Sequence, residues 1–179
     1  MEIVINANES GELNSQWGLT FLDNEIRTFL FKLHNNTLSY NYLLAKFVRG
    51  KSPLCTFCTL SRNEEDHDER PLHLFFQCRH TEPVILGVYA WVLNNEQEFD
   101  RMSRKNFFVG FEYDNSAKNR TLALVGIFVK KYIWECKTRY TLPSLDVCKR
   151  RIQAEMNFLV DTKEKIATMV ARSGVVLRR

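Results

Sequence analysis

No stretch of the 179-residue chain approaches the roughly 20 apolar residues that a membrane-crossing helix requires. The opening residues, MEIVINANESGELN, have neither the basic start nor the apolar run of a secretory leader. Strand signals are few, and no internal repeat or low-complexity segment is visible. A disulfide framework is missing as well. The five cysteines are odd in number, and in a chain expected inside the cell, in the nucleus or the cytoplasm, thiols stay reduced. These absences exclude a secreted disulfide scaffold, a membrane-spanning protein and a repeat array, and they turn attention to metal ligation.

What is present is an ordinary globular balance, with 45% hydrophobic and 26% charged residues. The length suits one domain or two small lobes with a sizeable core. The net charge of +4 hides a division: residues 1–100 hold 8 basic and 14 acidic residues, a net of −6, and residues 101–179 hold 17 and 7, a net of +10. A C-terminal half with that excess attracts polyanions such as RNA or DNA. A solvated helix surface explains the same charge, and composition leaves the two open.

Residues 1–16 are polar and aperiodic and are expected to form a flexible lead-in, with order beginning near Trp17. From the N-cap candidate Asp23, the apolar residues Ile26, Phe29, Leu30 and Leu33 recur at helical spacing up to Asn35-Asn36. A second helix is expected over Thr37–Phe47, closed by Gly50 and Pro53. The acidic stretch NEEDHDER, Asn63 to Arg70, reads as a solvated loop. After Pro83 a buried helix should carry Val84, Ile85, Val88, Tyr89, Trp91 and Val92 and stop at Asn94-Asn95; Phe99 to Phe111 fits either a short helix or extended chain. Two long helices, about Ser116–Arg139 and Ser144–Arg172, should close the chain as an antiparallel hairpin joined by Tyr140 to Pro143. The expected fold is therefore mainly α: helices around a zinc-pinned Cys-Cys-His-Cys loop, then a long C-terminal α-hairpin. Its organisation divides into the lead-in 1–16, a helical zinc-binding module over 17–98 and a basic helical region over 99–179.

The pinning residues are Cys55-x2-Cys58 and, after fourteen intervening residues, His73-x4-Cys78. Two cysteines two apart wrap thiolates around one ion while the turn between them aims N–H groups at the sulfurs. One helical turn over HLFFQC would bring His73 and Cys78 to the same side, with Leu74, Phe75 and Phe76 facing a core. Three thiolates and an imidazole saturate one zinc ion and leave no place for a reactive water, so the site is structural and carries a charge of about −1. Arg49, Lys51, Arg62 and Arg79 lie nearby in sequence to offset it. His67, inside the acidic loop, and His80, two residues beyond Cys78, are the rival ligands; Cys136 and Cys148 have no spaced partner and should be packing residues.

The segments LCTFC and LHLFFQC, separated by a polar loop, resemble the zinc-binding segment C-terminal to the polymerase domain in non-LTR (LINE-type) retrotransposon reverse transcriptases. The preceding IRTFLFKLHNNTLSYNYLLAKFVRG and the later KYIWECKTRYTLPSL are similar to the same family, so the likeness touches residues from about 17 to 150. The most specific part is the spaced cysteine and HLFF set. In that family the whole protein makes cDNA at a nicked genomic target, and this segment is implicated in gripping template RNA or target DNA. The resemblance implies zinc ligation by Cys55, Cys58, His73 and Cys78. The chain departs from the family in having no polymerase motif of paired aspartates after an aromatic residue.

Three functions compete on these residues. A nucleic-acid-binding module would use Lys130, Lys131, Lys137, Arg139, Lys149, Arg150 and Arg151, which fall on the helix ends flanking the hairpin connection, with Tyr132, Trp134 and Tyr140 close by. Cations solvated at a helix surface and aromatics packed in a core are the plain alternative. A restriction-like nuclease would need a carboxylate cluster with a lysine on adjacent strands, and Asp161-Thr162-Lys163, on a helix, is the nearest match. A docking module would pack the 23–47 helices on the polymerase part of a parent protein. The reading favoured is the first, non-catalytic by itself, with RNA and/or DNA as partner and no membrane.

Overall fold

The structure is a computed structural model that describes residues 22–61, 67–93 and 117–162, without the side chains of 117–120 and 159–162. The 1–16 lead-in, the start at Trp17, Arg62 and the first part of the acidic loop, Phe99 to Phe111 and the helix beyond residue 162 lie outside the described residues. Within them the elements are α1 (Asn24–His34), α2 (Asn41–Phe47), α3 (Thr56–Leu60), a π-helical turn (His73–Gln77), α4 (Glu82–Leu93), α5 (Ala117–Thr138) and α6 (Leu145–Thr162). The fold is mainly helical, with a single isolated antiparallel bridge, Leu54 to Asp68, among the described residues.

Helix α1 follows from its local sequence. Asp23 Oδ1 accepts the Ile26 N–H at 2.7 Å, which satisfies one of the otherwise unpaired donors of the first turn. Glu25 in the first turn and Lys32 and His34 in the last complement the helix dipole. Ile26, Phe29, Leu30 and Leu33 form its buried stripe. The helix stops where Asn36 adopts φ +55°, a left-handed conformation that asparagine tolerates.

Helix α2 begins at Asn41, four residues later than the expected Thr37. The Thr37 N–H turns back to the Lys32 carbonyl at 2.8 Å, and Tyr40, extended at ψ 145°, takes the N-cap position without a side-chain cap. The missing cap comes from far along the chain. Glu69 Oε1 accepts the Asn41 N–H at 3.0 Å, and Glu69 Oε2 accepts the Thr56 N–H at 2.9 Å and the Thr56 hydroxyl at 2.6 Å. One carboxylate thus caps α2 and α3 together. Its charge is met by Lys137 Nζ, 3.2 Å away on α5, and Lys137 also donates to the Ser39 carbonyl. Glu69 is 0% exposed. The sequence reading put it in a solvated acidic loop; two helix N-termini and a buried lysine outweigh the cost of desolvating it.

Helices on both sides of residue 98 share one core. Helix α4 packs on α5 and α6, and α5 and α6 pack on each other as the expected hairpin. Close approach decides which residues sit at the crossings. A Cβ on Gly126 of α5 would stand 2.7 Å from the hydroxyl of buried Tyr89 on α4, and one on Gly87 of α4 would stand 2.6 Å from Leu145 of α6. The hairpin is tied at its turn by Tyr132, whose hydroxyl accepts the Ser144 N–H at 2.9 Å and donates to the Ser144 carbonyl at 3.2 Å. Among the described residues no helix is long and apolar enough to cross a membrane.

Removing one partner of a buried ion pair strands the other charge. Lys137→Met should therefore lower the unfolding free energy by about 3 kcal/mol or more, and Glu69→Gln, which keeps part of the capping geometry, should cost less than Glu69→Ala. Chemical denaturation of the purified chain checks the order; an unchanged midpoint in Lys137→Met would show that the pair does not hold the fold.

Candidate metal centre

The first two ligand candidates are placed by the bridge between residues 53–55 and 67–69. The Cys55 N–H donates to the His67 carbonyl at 2.8 Å, and the Glu69 N–H donates to the Pro53 carbonyl at 2.8 Å. Cys55 then stands as N-cap of α3, and Cys58 lies within that helix. The second pair comes from the π-helical turn. The Cys78 N–H reaches back five residues to the His73 carbonyl at 2.8 Å, and this wider turn sets His73 and Cys78 side by side. Leu74 and Phe75 are fully buried beneath them. Thr81 secures the exit by donating its hydroxyl to the Leu74 carbonyl at 2.7 Å.

The four side chains converge. One ligand atom each from Cys55, Cys58, His73 and Cys78 lies within 4.8 Å of every other, and all four residues are buried. Cys55 Sγ is 3.9 Å and Cys58 Sγ 3.8 Å from Cys78 Sγ, and His73 Nε2 is 3.6 Å from Cys58 Sγ. Sulfurs this far apart are free thiols, since a disulfide brings them to about 2.05 Å. Hydrogen bonding from Cys55, and then from His73, favours the Cys78 thiolate, with the His80 N–H helping. Cys55 is pushed up, first by its hydrogen bond to Cys78 and then by burial, and Cys58 is pushed up to about 11, chiefly by burial. The Cys58 N–H points at the Cys55 sulfur, as the knuckle spacing implies. The set can hold one metal ion with four protein ligands.

The rival histidines fall outside it. His67 packs its ring 5.0 Å from that of His73, and the His80 imidazole lies 2.9 Å from the Ser61 hydroxyl. Cys136 and Cys148 are buried packing residues. Arg79 lies close enough to favour the Cys58 thiolate, whereas Lys51 faces Tyr140 instead.

The basic residues of the hairpin separate into two groups. Lys130 and Lys137 are buried, at 3% and 7% exposure, which corrects their expected place on the surface. Lys131 pairs with Glu25 of α1 and with Glu135, and Arg151 of α6 pairs with the same Glu135; these two cations lace α1, α5 and α6 together. Arg139 and Arg150 remain toward solvent, Arg139 with only a loose 3.9 Å contact to Glu135, while Lys149 is half-buried with its ammonium 6.0 Å from the centre of the Trp91 ring. Tyr132 is a core residue and Trp134 packs edge-on against Tyr40 at 5.5 Å, while Tyr140 is 61% exposed. Asp161 lies on the backbone of α6; its side chain and Lys163 lie outside the described residues. The residue that sequence reasoning missed is Glu69, with its partners Asn41 and Thr56.

Comparison of the chain with family models, with curated proteins and with solved structures gives no match.

Two expectations follow. Cys58→Ser or Cys78→Ser should lose the bound metal and the cooperative unfolding transition, because in such sites binding free energy is folding free energy, and His67→Ala should keep both; elemental analysis of the folded chain reads the outcome. Lys130 is pushed down to about 7 by burial, from 10.5, so the unfolded chain binds the extra proton between those values. The sign is positive: stability rises with pH from about 7 to about 10.5. Lys130→Met should lack that rise in denaturation curves taken across the range.

Proposed function

We propose that the chain is a zinc-stabilised, non-catalytic nucleic-acid-binding module of the kind that LINE-type reverse transcriptases carry C-terminal to the polymerase. The observation that carries the reading is the closed Cys3His set fastened by Glu69 to the basic C-terminal helices. For a tetrahedral zinc ion the expected ligand–ligand separations are about 3.8 Å between sulfurs and about 3.6 Å from sulfur to nitrogen. The observed 3.8 Å and 3.9 Å for the sulfur pairs, and 3.6 Å for the sulfur–nitrogen pair, agree with them. Zinc bound there supplies a cross-link among α3, the π-helical turn and the 53–55 segment, and no coordination position is left for a substrate.

The rest of the reading concerns charge. The hairpin presents Arg139 and Arg150 to solvent, with the half-buried Lys149 beside them, and such cations displace the counterions of a phosphate backbone without regard to sequence. The buried and laced cations contribute architecture instead. A second reading, docking on a polymerase body, is favoured by one observation: Phe47 and Val48 at the end of α2 are 84% and 49% exposed.

In anisotropy titrations the chain should bind mixed-sequence RNA or DNA at about 50 mM salt, with affinity falling linearly in log-log form as salt rises. Lys149→Glu with Arg150→Glu should weaken binding and reduce the salt slope by up to about 2, leaving metal content and helicity intact. The chain should neither extend a primed template nor nick plasmid in magnesium. Absence of binding by the wild type would overturn the nucleic-acid reading and leave docking through Phe47 and Val48.

A further inference from the structure

A cleft of about 360 Å³ opens between the α1–α2 connection, the turn after α2 and the C-terminal end of α5, lined among others by Lys32, Ser39, Lys51, Trp134, Lys137 and Tyr140. Among the described residues no carboxylate lines it. Its volume stands at the small end of the roughly 300–1,000 Å³ typical of ligand sites, enough for a single nucleotide-sized group. Lys137 is committed to Glu69 and to the Ser39 carbonyl, and its ammonium also covers the Trp134 ring at 4.3 Å. Trp134, edge-on to Tyr40, is therefore a wall of the cleft. Lys32 and Lys51 are different: neither has an ion-pair partner among the described residues. Gly50, at φ +79°, makes the turn that brings Lys51 to the rim, 6.0 Å from the Tyr140 ring.

Tyr140 is the telling residue. Its backbone sits at φ +54°, in the left-handed region where a bulky side chain is an outlier and glycine or asparagine is at home. The conformation is the left-handed cap that ends α5: the Tyr140 N–H donates to the Lys137 carbonyl at 3.1 Å and the Thr141 N–H to the Cys136 carbonyl at 3.0 Å. The ring that this turn projects is 61% exposed. The result is a largely exposed aromatic ring at the mouth of a cleft, with the Lys51 ammonium 6.0 Å from its centroid and Lys32 without an ion-pair partner among the described residues.

We infer that this cleft binds one nucleotide of a single-stranded nucleic acid, with a base stacked on Tyr140 and the adjoining phosphates held by Lys51 and Lys32. The inference rests on the nucleic-acid reading above and adds strand state and position to it. Stacking on an aromatic platform needs a base with an open face, which a duplex does not offer, and it tolerates any base because every base has a π-face.

The test uses the zinc-loaded full chain with a labelled oligouridine, its oligothymidine counterpart and a duplex of equal length. At least one single strand should bind more tightly than the duplex. Tyr140→Asn removes the ring and suits the left-handed backbone, so the chain should stay as stable as wild type and lose about tenfold in single-strand affinity with an unchanged salt slope; Tyr140→Phe should bind as wild type. Lys32→Glu with Lys51→Glu, which leaves the Tyr140 turn untouched, should weaken binding and flatten the salt slope. A wild type that binds single strands while Tyr140→Asn and the lysine pair bind equally well would place the grip elsewhere and leave the nucleic-acid reading standing. A preference for duplex would also overturn the cleft, and a wild type that binds neither form would overturn both.

Discussion

A single carboxylate, that of Glu69, receives the first N–H groups of α2 and α3 and the ammonium of Lys137 from α5. Two short helices of seven and five residues are too brief to stand on propensity, since isolated helices below about 12–15 residues are marginal in water. Neither has a local side-chain cap. Their N-termini are instead gathered on one buried anion, and the same anion ties them to α5 through Lys137. The Cys55-x2-Cys58 pair rides on the second of these helices, so the geometry of the metal ligands is inherited from a contact that includes no ligand.

The ligand cluster and the carboxylate divide the work. The cysteine and histidine set gathers residues 55–78 into a knot, and Glu69 binds that knot to the rest of the molecule. The ion-pair lacing of Lys131, Glu135 and Arg151 then draws α1, α5 and α6 together at the opposite edge of α5. Charges that composition alone assigns to a polyanion are thus partly internal. Those left over and facing solvent include Arg139 and Arg150 on the hairpin and Lys32 beside the cleft.

The sequence disclosed the parts whose signals are local. Asp23 and the Ile26, Phe29, Leu30 and Leu33 stripe mark α1 to the residue, the turn at Tyr140 to Pro143 separates the hairpin helices, and two short spacings mark the metal ligands. Glu69 was hidden because nothing near it in the chain distinguishes it from the acidic residues beside it; its role appears only when Asn41, 28 residues away, and Lys137 come to it. The two buried lysines carried a readable sign that their charge obscured. Lys130, Ile133 and Lys137 are spaced three and four apart, which puts them on one side of α5, and Ile133 is fully buried. A helical stripe that includes an obvious core residue argues for burial whatever the charge of its neighbours.

The turn between His73 and Cys78 makes one segment of the chain unusually sensitive to length. An i to i+5 hydrogen bond accommodates four intervening residues; deleting one would favour an ordinary α-helical turn and swing the following side chain through about 100°. Cys78 would then point away from the other three ligands even though every ligand residue remained in the sequence. Counting cysteines and histidines is therefore a poor guide to whether a variant of this chain keeps its metal. The number of residues between the last two is the better one, and its tolerance is a single register.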